Sequence, residues 1–296
     1  MARGIRVYTT PDVRKEASRL DAVAAALRAR DHDPILVDAF TLDDLRRTLA
    51  ATVADGDERI VVVGGDGLVH HATQAIAGTD TALAVVGSGS GNDFARALGL
   101  ATDVDGAVEA ALAPTVALDA LRCEHGWVAS VATLGFSATV NHLANKLPPA
   151  MGSARYSAAT VVELPRLRRA TLRCTLDDGE PFDLEATLVA IANTDYFGGG
   201  MEIVPGADPA DGALDVVTIG AVGRLTLARY LRKIFSGSHI GHPAVATHRV
   251  RRIRIEGDDG GAGVWGDGER LGPLPVTFEV VPGALHVAGA RLPRNP

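Results

Sequence analysis

The first third of the chain alternates short apolar runs with segments whose apolar residues recur every three or four positions. The apolar runs, which predict buried strands, are Ile5–Tyr8, Ile35–Val37, Ile60–Val63 and Ala82–Val86. The segments between them predict helices over residues 12–30, 41–54, 68–77 and 92–98. Strands that alternate with helices favour βαβ crossovers, so we expect an α/β domain with a doubly wound, mostly parallel sheet.

After Pro114 the pattern becomes a series of short β-rich runs. These runs predict strands over residues 116–122, 127–133, 171–176, 187–192, 213–219, 249–256, 276–281 and 284–288, with turns at Asp178-Gly179 and Pro282-Gly283. Helices are predicted only over 153–169 and 224–235. We therefore expect an antiparallel, β-rich sandwich as a second domain. The predicted domains are 1–115 and 116–296, and the last residues are candidates for a return to the first domain.

The composition is that of an ordinary globular protein. Of 296 residues, 47% are apolar and 22% are charged. The net charge of −7 argues against a nucleic-acid surface and gives no bulk attraction to anionic lipid. Cys123 and Cys174 lie far apart, which is typical of free thiols in a reducing cytoplasm. No apolar segment reaches the roughly 20 residues of a spanning helix, so we expect a cytoplasmic protein that is at most peripheral at a membrane.

Two predicted strands end in glycine loops that carry aspartate. Ile60–Val63 leads into Gly64-Gly65-Asp66-Gly67, and Ala82–Val86 leads into Gly87-Ser88-Gly89-Ser90-Gly91-Asn92-Asp93. Glycines let backbone N–H groups close on an anion, and carboxylates beside phosphate usually serve a divalent metal. In a parallel sheet, both loops lie at the carboxyl edge, where ligands bind.

A structural explanation competes for each loop taken alone. It is a strand-to-helix turn whose aspartate caps the helix. The loops also lack the Lys and Ser/Thr of a P-loop and the spacing of a dinucleotide fingerprint. Two such loops in adjacent βα units nevertheless favour a phosphate site.

Together with later motifs, these loops resemble a known family. Gly64-Gly65-Asp66-Gly67 and Gly89-Ser90-Gly91-Asn92-Asp93-Phe94-Ala95-Arg96 resemble the nucleotide loops of the diacylglycerol kinase catalytic family, which includes sphingosine and ceramide kinases and soluble bacterial lipid kinases. The later motifs, which follow the order of its second-domain signature, are Asn193, Gly198-Gly199-Gly200-Met201, Pro205, Ala207, Asp211-Gly212, Leu214-Asp215, Gly237-Ser238-His239 and Asp267-Gly268-Glu269. The resemblance implies an ATP-dependent lipid kinase, with diacylglycerol the expected acceptor and phosphatidic acid the product.

The resemblance also implies roles for single residues. Those that would bind the ATP phosphates are Gly64, Gly65, Asp66, Gly67, Leu68, Gly89, Ser90, Gly91, Asn92 and Asp93. Asp66, Asp93 and Glu269 would position the catalytic Mg²⁺. Asp66, Asp267 and Glu269 would be catalytic and would meet across an interdomain cleft, with Asp267 or Glu269 as the general base. Spacing alone instead favours a hairpin corner at Asp267-Gly268.

A second, structural Mg²⁺ site is implied in the loop before the strand at Ala213. Asp211 would bind the ion with backbone carbonyls of Asp208 and Ala213, in keeping with the oxygen ligands that Mg²⁺ prefers. The alternative from the residues alone is an Asx turn.

Several positions depart from the family pattern. Thr9-Thr10-Pro11-Asp12 stands where an Asn-Pro-x-Ser-Gly phosphate loop is usual, which predicts altered nucleotide affinity. Leu68 replaces a threonine, His70-His71 an Asn-Glu pair, and Gly87 a proline. We expect the two histidines to face solvent or cap the helix rather than to contact nucleotide.

The acceptor implies a membrane lipid as partner and peripheral contact with the bilayer. Over 224–235, apolar and basic residues lie along different faces, which suits either a membrane surface or an ordinary helix packed on the second domain, and we favour packing. Leu134-Gly135-Phe136 and Tyr156 are candidates for an acyl pocket or for core. No nucleic-acid partner is expected, and a homodimer stays open.

Three other functions remain open. One is a sphingoid- or ceramide-type lipid kinase. Another is an NAD kinase, which shares the Gly-Gly-Asp-Gly loop and the two-domain plan, although Asp267-Gly268-Glu269 belongs to the lipid branch. The third is a catalytically impaired protein that binds lipid or nucleotide.

Overall fold

The structure, a computed structural model, describes residues 4–10, 17–148, 151–152 and 154–292. Its contacts divide the chain into two compact units. One contains Met1–Asp119 and Pro282–Pro296, and the other contains Ala120–Val281. The last residues of the chain therefore belong with the first unit.

The first unit contains a parallel sheet with helices between its strands. Its strands are β1 (Ile5–Thr9), β2 (Pro34–Leu36), β3 (Arg59–Gly64) and β4 (Ala82–Gly87). Its helices are α1 (Ala17–Arg28), α2 (Leu42–Ala54), α3 (Asp66–Ile76), α4 (Asp93–Ala97) and α5 (Val104–Leu112). The four strands are parallel in the order β2-β1-β3-β4, which confirms the predicted α/β fold. The start of the helix predicted over 12–30 lies partly outside the described residues.

Local sequence explains why these elements form. The Thr41 hydroxyl accepts the Asp44 N–H while the Asp44 carboxylate accepts the Thr41 N–H, so a capping box begins α2. Alternate residues of β3, Val61 and Val63, pack against α1 and α5. Because both faces of the sheet are covered at its centre, β3 and β4 carry continuous buried apolar runs rather than apolar residues at every second position.

The second unit is β-rich and antiparallel. The remaining strands are β5 (Thr115–Cys123), β6 (Gly126–Val128), β7 (Val131–Gly135), β8 (Ala170–Leu176), β9 (Phe182–Ala192), β10 (Tyr196–Phe197), β11 (Met201–Glu202), β12 (Leu214–Gly220), β13 (Val245–Val250), β14 (Arg252–Asp258), β15 (Val264–Gly266), β16 (Glu269–Gly272) and β17 (Val276–Ala288). The helices are α6 (Phe136–Ala144), α7 (Ala154–Glu163) and α8 (Arg224–Ile234), and a 3₁₀ turn spans Leu164–Arg166. The β-rich second domain is thus confirmed.

Two apolar cores hold this unit together. One lies among β7, β8, β9, β12 and β14 and includes Leu134, Ile191 and Ile253. The other lies between the opposite face of β7, β9 and β12 and the helices α6, α7 and α8. Leu134 and Phe136, candidates for an acyl pocket, are buried in these two cores, and Tyr156 packs against the second.

The structure corrects several predicted boundaries. The turn predicted at Pro282-Gly283 does not end a strand, because β17 runs through it. Its first residues pair with β14 and its last with β4, and the Gly283 N–H is bound by the Asp119 carboxylate. The helix predicted over 153–169 ends at Glu163, and the strand predicted over 249–256 is divided between β13 and β14. Helices α5 and α6 were not predicted. No helix among the described residues is long and apolar enough to cross a membrane.

Candidate active site

The two glycine loops lie side by side at the carboxyl edge of the parallel sheet. β3 ends at Gly64 and β4 at Gly87, and these two residues are opposite each other in the register. The Ser88 N–H donates to the Gly64 carbonyl oxygen at 3.0 Å, which continues the pairing beyond the strands. The prediction that both loops meet at one edge is therefore correct.

The loops touch through their backbones. A Cβ atom at Gly89 would lie 2.6 Å from the Gly65 Cα, and one at Gly65 would lie 3.0 Å from the Gly89 Cα. Carbon atoms pack at about 3.5–4.0 Å, so a side chain at either position would force the loops apart. Glycine is thus required by the close approach, which leaves a concave, side-chain-free backbone of the kind that binds phosphate.

Asn92 fixes the shape of the second loop. Its side chain accepts the Gly89 N–H at 2.9 Å and donates to the Gly89 carbonyl oxygen at 2.8 Å. Its backbone is left-handed, with φ 53° and ψ 42°, a conformation that asparagine tolerates better than most residues. Ser90, at the tip of the loop, is exposed. The asparagine of the motif therefore acts on the loop itself.

Asp66 links the first loop to the start of α4. Its Oδ1 accepts the Phe94 N–H at 3.3 Å, and Phe94 directly follows Asp93, a residue that is only 6% exposed. Two carboxylates beside a phosphate-binding backbone suit a hard divalent cation, since Mg²⁺ typically binds one or two carboxylates plus substrate phosphates. Asp66 and Asp93 are thus of the residue type that such an ion prefers, and their role with Glu269 as ligands of the catalytic Mg²⁺ stays a prediction.

His70 and His71 do not face solvent, contrary to expectation. They are 5% and 7% exposed, on the second turn of α3, with their ring centroids 5.5 Å apart. The pKa of His71 is lowered to about 4, mainly by burial and also by the nearby charges of His70 and Arg46. The imidazole of His71 is therefore neutral at physiological pH.

The aspartate of Asp267-Gly268-Glu269 occupies a tight hairpin between β15 and β16. Asp267 and Gly268 have φ angles of 53° and 84°, as in the type I′ turn that Asp-Gly favours. The Asp267 carboxylate accepts the Ala129 N–H at 3.0 Å and the Ser130 N–H at 2.8 Å. The hairpin corner predicted from spacing is confirmed, and its carboxylate is held in one orientation. Glu269 begins β16 and is partly buried.

Asn193 is joined to the same turn. Its Nδ2 donates to the Ala129 carbonyl oxygen at 2.9 Å, and its backbone N–H donates to the Ser130 carbonyl oxygen at 2.8 Å. Asn193 and Asp267 therefore both bind the backbone of Ala129 and Ser130, the two residues between β6 and β7. Asn145 also donates to the Gly268 carbonyl oxygen at 3.1 Å. The sequence analysis did not predict Ala129, Ser130 or Asn145. Ala129 and Ser130 act through backbone N–H groups, which no side-chain pattern reveals, and Asn145 belongs to no motif of the sequence.

The Asp208–Ala213 loop forms two Asx turns. Asp208 Oδ1 accepts the Ala210 N–H at 3.0 Å, and Asp211 Oδ1 accepts the Ala213 N–H at 2.9 Å. Arg249 forms an ion pair with the other Asp211 oxygen. These contacts favour the Asx-turn alternative, since a guanidinium already neutralises Asp211. No group of three His, Cys, Asp or Glu side chains within the described ranges could hold a metal ion. The predicted structural Mg²⁺ would use one carboxylate and two backbone carbonyls, so that search does not test it and the site stays a prediction.

Gly237-Ser238-His239 joins the end of α8 to the β10–β11 segment. The His239 side chain is fully buried, its Nε2 lies 3.0 Å from the Ile203 carbonyl oxygen, and burial lowers its pKa. A Cβ at Gly237 would lie 2.5 Å from Pro205 Cγ, so this approach requires glycine. In the same signature, burial raises the pKa of Asp215. These residues thus have structural contacts of their own.

Comparison with known proteins decides the family. The profile of the diacylglycerol kinase catalytic domain matches residues 13–123, and that of the YegS C-terminal NAD kinase beta sandwich-like domain matches residues 129–289. A diacylglycerol kinase of Mycobacterium tuberculosis is 37% identical over 279 residues, which are 90% of this chain and 88% of that protein. The chain belongs to the diacylglycerol kinase family. It is a lipid kinase by that membership.

Solved structures support the fold. Those of a diacylglycerol kinase from Bacillus anthracis cover 96% of this chain with TM-scores of 0.69 to 0.76 at 18 to 20% identity, and this chain covers 96 to 97% of each. An NAD kinase from Archaeoglobus fulgidus in complex with ATP covers 97% of this chain, with 93% of its own length matched, a TM-score of 0.55 and 13% identity. At these identities the likeness extends to the fold alone.

Proposed function

We propose that this lipid kinase transfers the γ-phosphoryl group of ATP to the hydroxyl of diacylglycerol and produces phosphatidic acid. The observation that carries the proposal is the contact between Gly65 and Gly89, which builds a bare backbone cradle beside Asp66 and Asp93. The name of the Mycobacterium tuberculosis relative supports diacylglycerol as the acceptor.

In the proposed reaction, the glycine loops bind the ATP phosphates through backbone N–H groups. The lipid hydroxyl oxygen attacks the γ-phosphorus, its proton passes to a carboxylate, and the bond between the γ-phosphorus and the bridging oxygen breaks to release ADP. When bound by Asp66 and Asp93, Mg²⁺ would neutralise charge that develops on the transferring group. The chain's other contribution is positioning, which phosphoryl transfer needs more than strong basicity.

We assign the base to Asp267 rather than Glu269. Its carboxylate is held by the N–H groups of Ala129 and Ser130, so its orientation is set before substrate binds. A carboxylate oxygen is a suitable acceptor for the hydroxyl proton. The same contacts anchor the hairpin, so Asp267 both holds the turn and accepts the proton in this mechanism.

Assays with ATP and Mg²⁺ test the acceptor directly. Diacylglycerol, sphingosine and ceramide in mixed micelles, and NAD in solution, are offered separately, and labelled product is measured. We expect labelled phosphatidic acid above all other products. A preference for a sphingoid lipid or NAD would replace the acceptor. ATP binding by calorimetry without any turnover would support the impaired protein, for which the altered segment after Tyr8 is the motive.

Variants locate the chemistry. Asp66→Asn and Asp93→Asn should abolish turnover, whereas Asp80→Asn, at an exposed aspartate of the same unit, should leave it unchanged. Asp267→Asn should lower kcat by about 10²–10⁴-fold, as expected for loss of a general base, while calorimetric ATP affinity stays constant. If Glu269→Gln lowers kcat in this way and Asp267→Asn does not, the assignment of the base is reversed.

A further inference from the structure

The segment between Asp215 and Glu256 is strongly basic in an otherwise acidic chain. It contains eight Lys and Arg residues and no Asp or Glu, whereas the net charge of the whole chain is −7. Four of these cations lie on α8, namely Arg224, Arg229, Arg232 and Lys233. Within the part of the chain that the structure describes, none of the four forms a salt bridge. The positive charge of α8 is therefore not balanced by ion pairs of its own.

One face of α8 packs against the second unit, as the sequence predicts. Leu227, Tyr230 and Ile234 are buried in the core formed with β7, β9 and β12. These three positions recur at helical spacing, so they form a single stripe. The helix is anchored by this stripe, and its opposite side is not required for packing.

The opposite side combines cations with large apolar side chains. Leu225 is 77% exposed. Arg229 and Arg232 follow it on the same side of the helix, about one turn and two turns later, and are also exposed. Phe235, which follows the last turn, is 57% exposed. We call Arg224, Leu225, Arg229, Arg232, Lys233 and Phe235 the outer face of α8. A single exposed leucine needs no explanation, but apolar and basic side chains on one face of an anchored helix are the pattern of interfacial helices.

A neighbouring segment has the same character. The 3₁₀ turn Leu164–Arg166 packs beside α8, and it directly follows α7. At the end of α7, Val161 is 71% and Val162 44% exposed, and Arg168 just after the turn is exposed. Exposed apolar and basic residues thus continue from α8 onto an adjoining part of the same unit.

We infer that the outer face of α8 is a contact surface for an anionic lipid bilayer. Its cations would lie at the lipid phosphates, while Leu225 and Phe235 enter the boundary between headgroups and acyl chains. A nucleic-acid surface binds through its cations and would not require the exposed Leu225 and Phe235. The inference rests on the proposed function insofar as an enzyme acting on diacylglycerol has to reach a membrane, but the surface can be tested without any phosphorylation.

Sedimentation of the full chain with vesicles tests the electrostatic part. Vesicles of phosphatidylcholine are compared with vesicles that also contain phosphatidylglycerol. The double variant Arg229→Gln/Arg232→Gln should reduce partitioning onto the anionic vesicles about 25-fold, since each basic residue near the surface contributes about five-fold. Added salt should reduce the partitioning of wild type more than that of the variant.

A matched control removes two arginines elsewhere. Arg46 and Arg47 on α2 are exposed to 58% and 77% and form exposed pairs with Asp43 and Asp44. Arg46→Gln/Arg47→Gln makes the same change of net charge and should leave partitioning unchanged. Equal losses in both double variants would overturn the inference, as would wild-type partitioning that does not respond to phosphatidylglycerol.

Fluorescence tests the apolar part. Leu225→Trp should shift its emission to shorter wavelength on anionic vesicles and be quenched by brominated lipid, whereas Phe40→Trp, at a side chain 76% exposed in the first unit, should not. Leu225→Ser/Phe235→Ser should weaken binding to both kinds of vesicle. Kinase activity in detergent micelles is measured in parallel: activity without vesicle binding overturns the surface alone, and vesicle binding without activity overturns only the proposed function.

Discussion

The contact between Gly65 and Gly89 leads to a graded prediction about nucleotide use. In Gly89→Ala the new Cβ would lie 2.6 Å from the Gly65 Cα, both atoms belonging to backbone or fixed to it. Restoring carbon–carbon contact requires the loops to separate by about 1 Å. A displacement of about 1 Å at a catalytic site costs about 100-fold in rate, so kcat/KM for ATP should fall by about that factor.

The reciprocal variant, Gly65→Ala, should cause a smaller loss of kcat/KM for ATP. In Gly65→Ala the Cβ would lie 3.0 Å from the Gly89 Cα, and φ at this position is −98°, which alanine adopts without strain. The smaller displacement should cost about tenfold. Gly220→Ala is the control, because its Cβ would meet only the Ala244 carbonyl oxygen at 3.6 Å, an ordinary contact.

Initial rates in mixed micelles at varied ATP measure these effects, and calorimetry with a non-hydrolysable ATP analogue measures binding alone. Overpacking costs about 1–3 kcal/mol of stability, so melting curves establish that the variants remain folded during the assay. Wild-type kinetics in Gly89→Ala would refute the argument that the loops' close approach shapes the phosphate site. So would a greater loss in Gly65→Ala than in Gly89→Ala.

Three further predictions concern stability. Arg249→Ala should lower the melting temperature by about 1–3 °C, as for a partly exposed ion pair. If the Asx turns alone account for the loop, excess Mg²⁺ should raise the melting temperature of wild type no more than that of an Asp211→Asn variant. A selective Mg²⁺ effect on wild type would support the structural metal site. The pKa of His71 falls from 6.5 in the unfolded state to about 4 in the folded state, so the unfolded state binds a proton first as the pH falls. The contribution of the neutral, buried His71 to the free energy of unfolding is therefore complete above pH 6.5 and is lost as pH falls toward 4, by at most about 3 kcal/mol. Urea midpoints of wild type and His71→Gln should diverge over that range, and parallel curves would contradict the burial argument. His239→Ala should cost about 2–4 kcal/mol and His239→Leu less, because leucine fills the space and leaves only the Ile203 carbonyl unpartnered; equal losses in urea unfolding would show that the hydrogen bond, not packing, dominates.

Short sequence patterns were sufficient to predict the structure where neighbouring residues determine it. The apolar runs that end at Gly64 and Gly87 predicted both strands and the edge at which their loops meet, because parallel strands end on one side. Asp267-Gly268 predicted its hairpin since the dipeptide itself prefers positive φ. In both cases the information lies within a few residues.

Elsewhere the deciding partner is distant in sequence. Pro282-Gly283 reads as a turn locally, but β17 continues because β14 and β4 pair with it on either side. His70 and His71 look like surface residues until α2 packs over α3. The groups that orient Asp267 are backbone N–H groups more than 130 positions earlier, which no side-chain pattern encodes.

The position of β17 in the chain affects the order of synthesis. Its residues His286 and Val287 pair with Ala82 and Leu83, so β4 gains its second neighbour only from a strand that is synthesised much later than β4 itself. Until then the edge of β4 is open, and an open apolar edge is a template for pairing with another chain. A protein stopped before Val276 would retain both glycine loops, yet we expect it to aggregate rather than to accumulate as a separate nucleotide-binding domain.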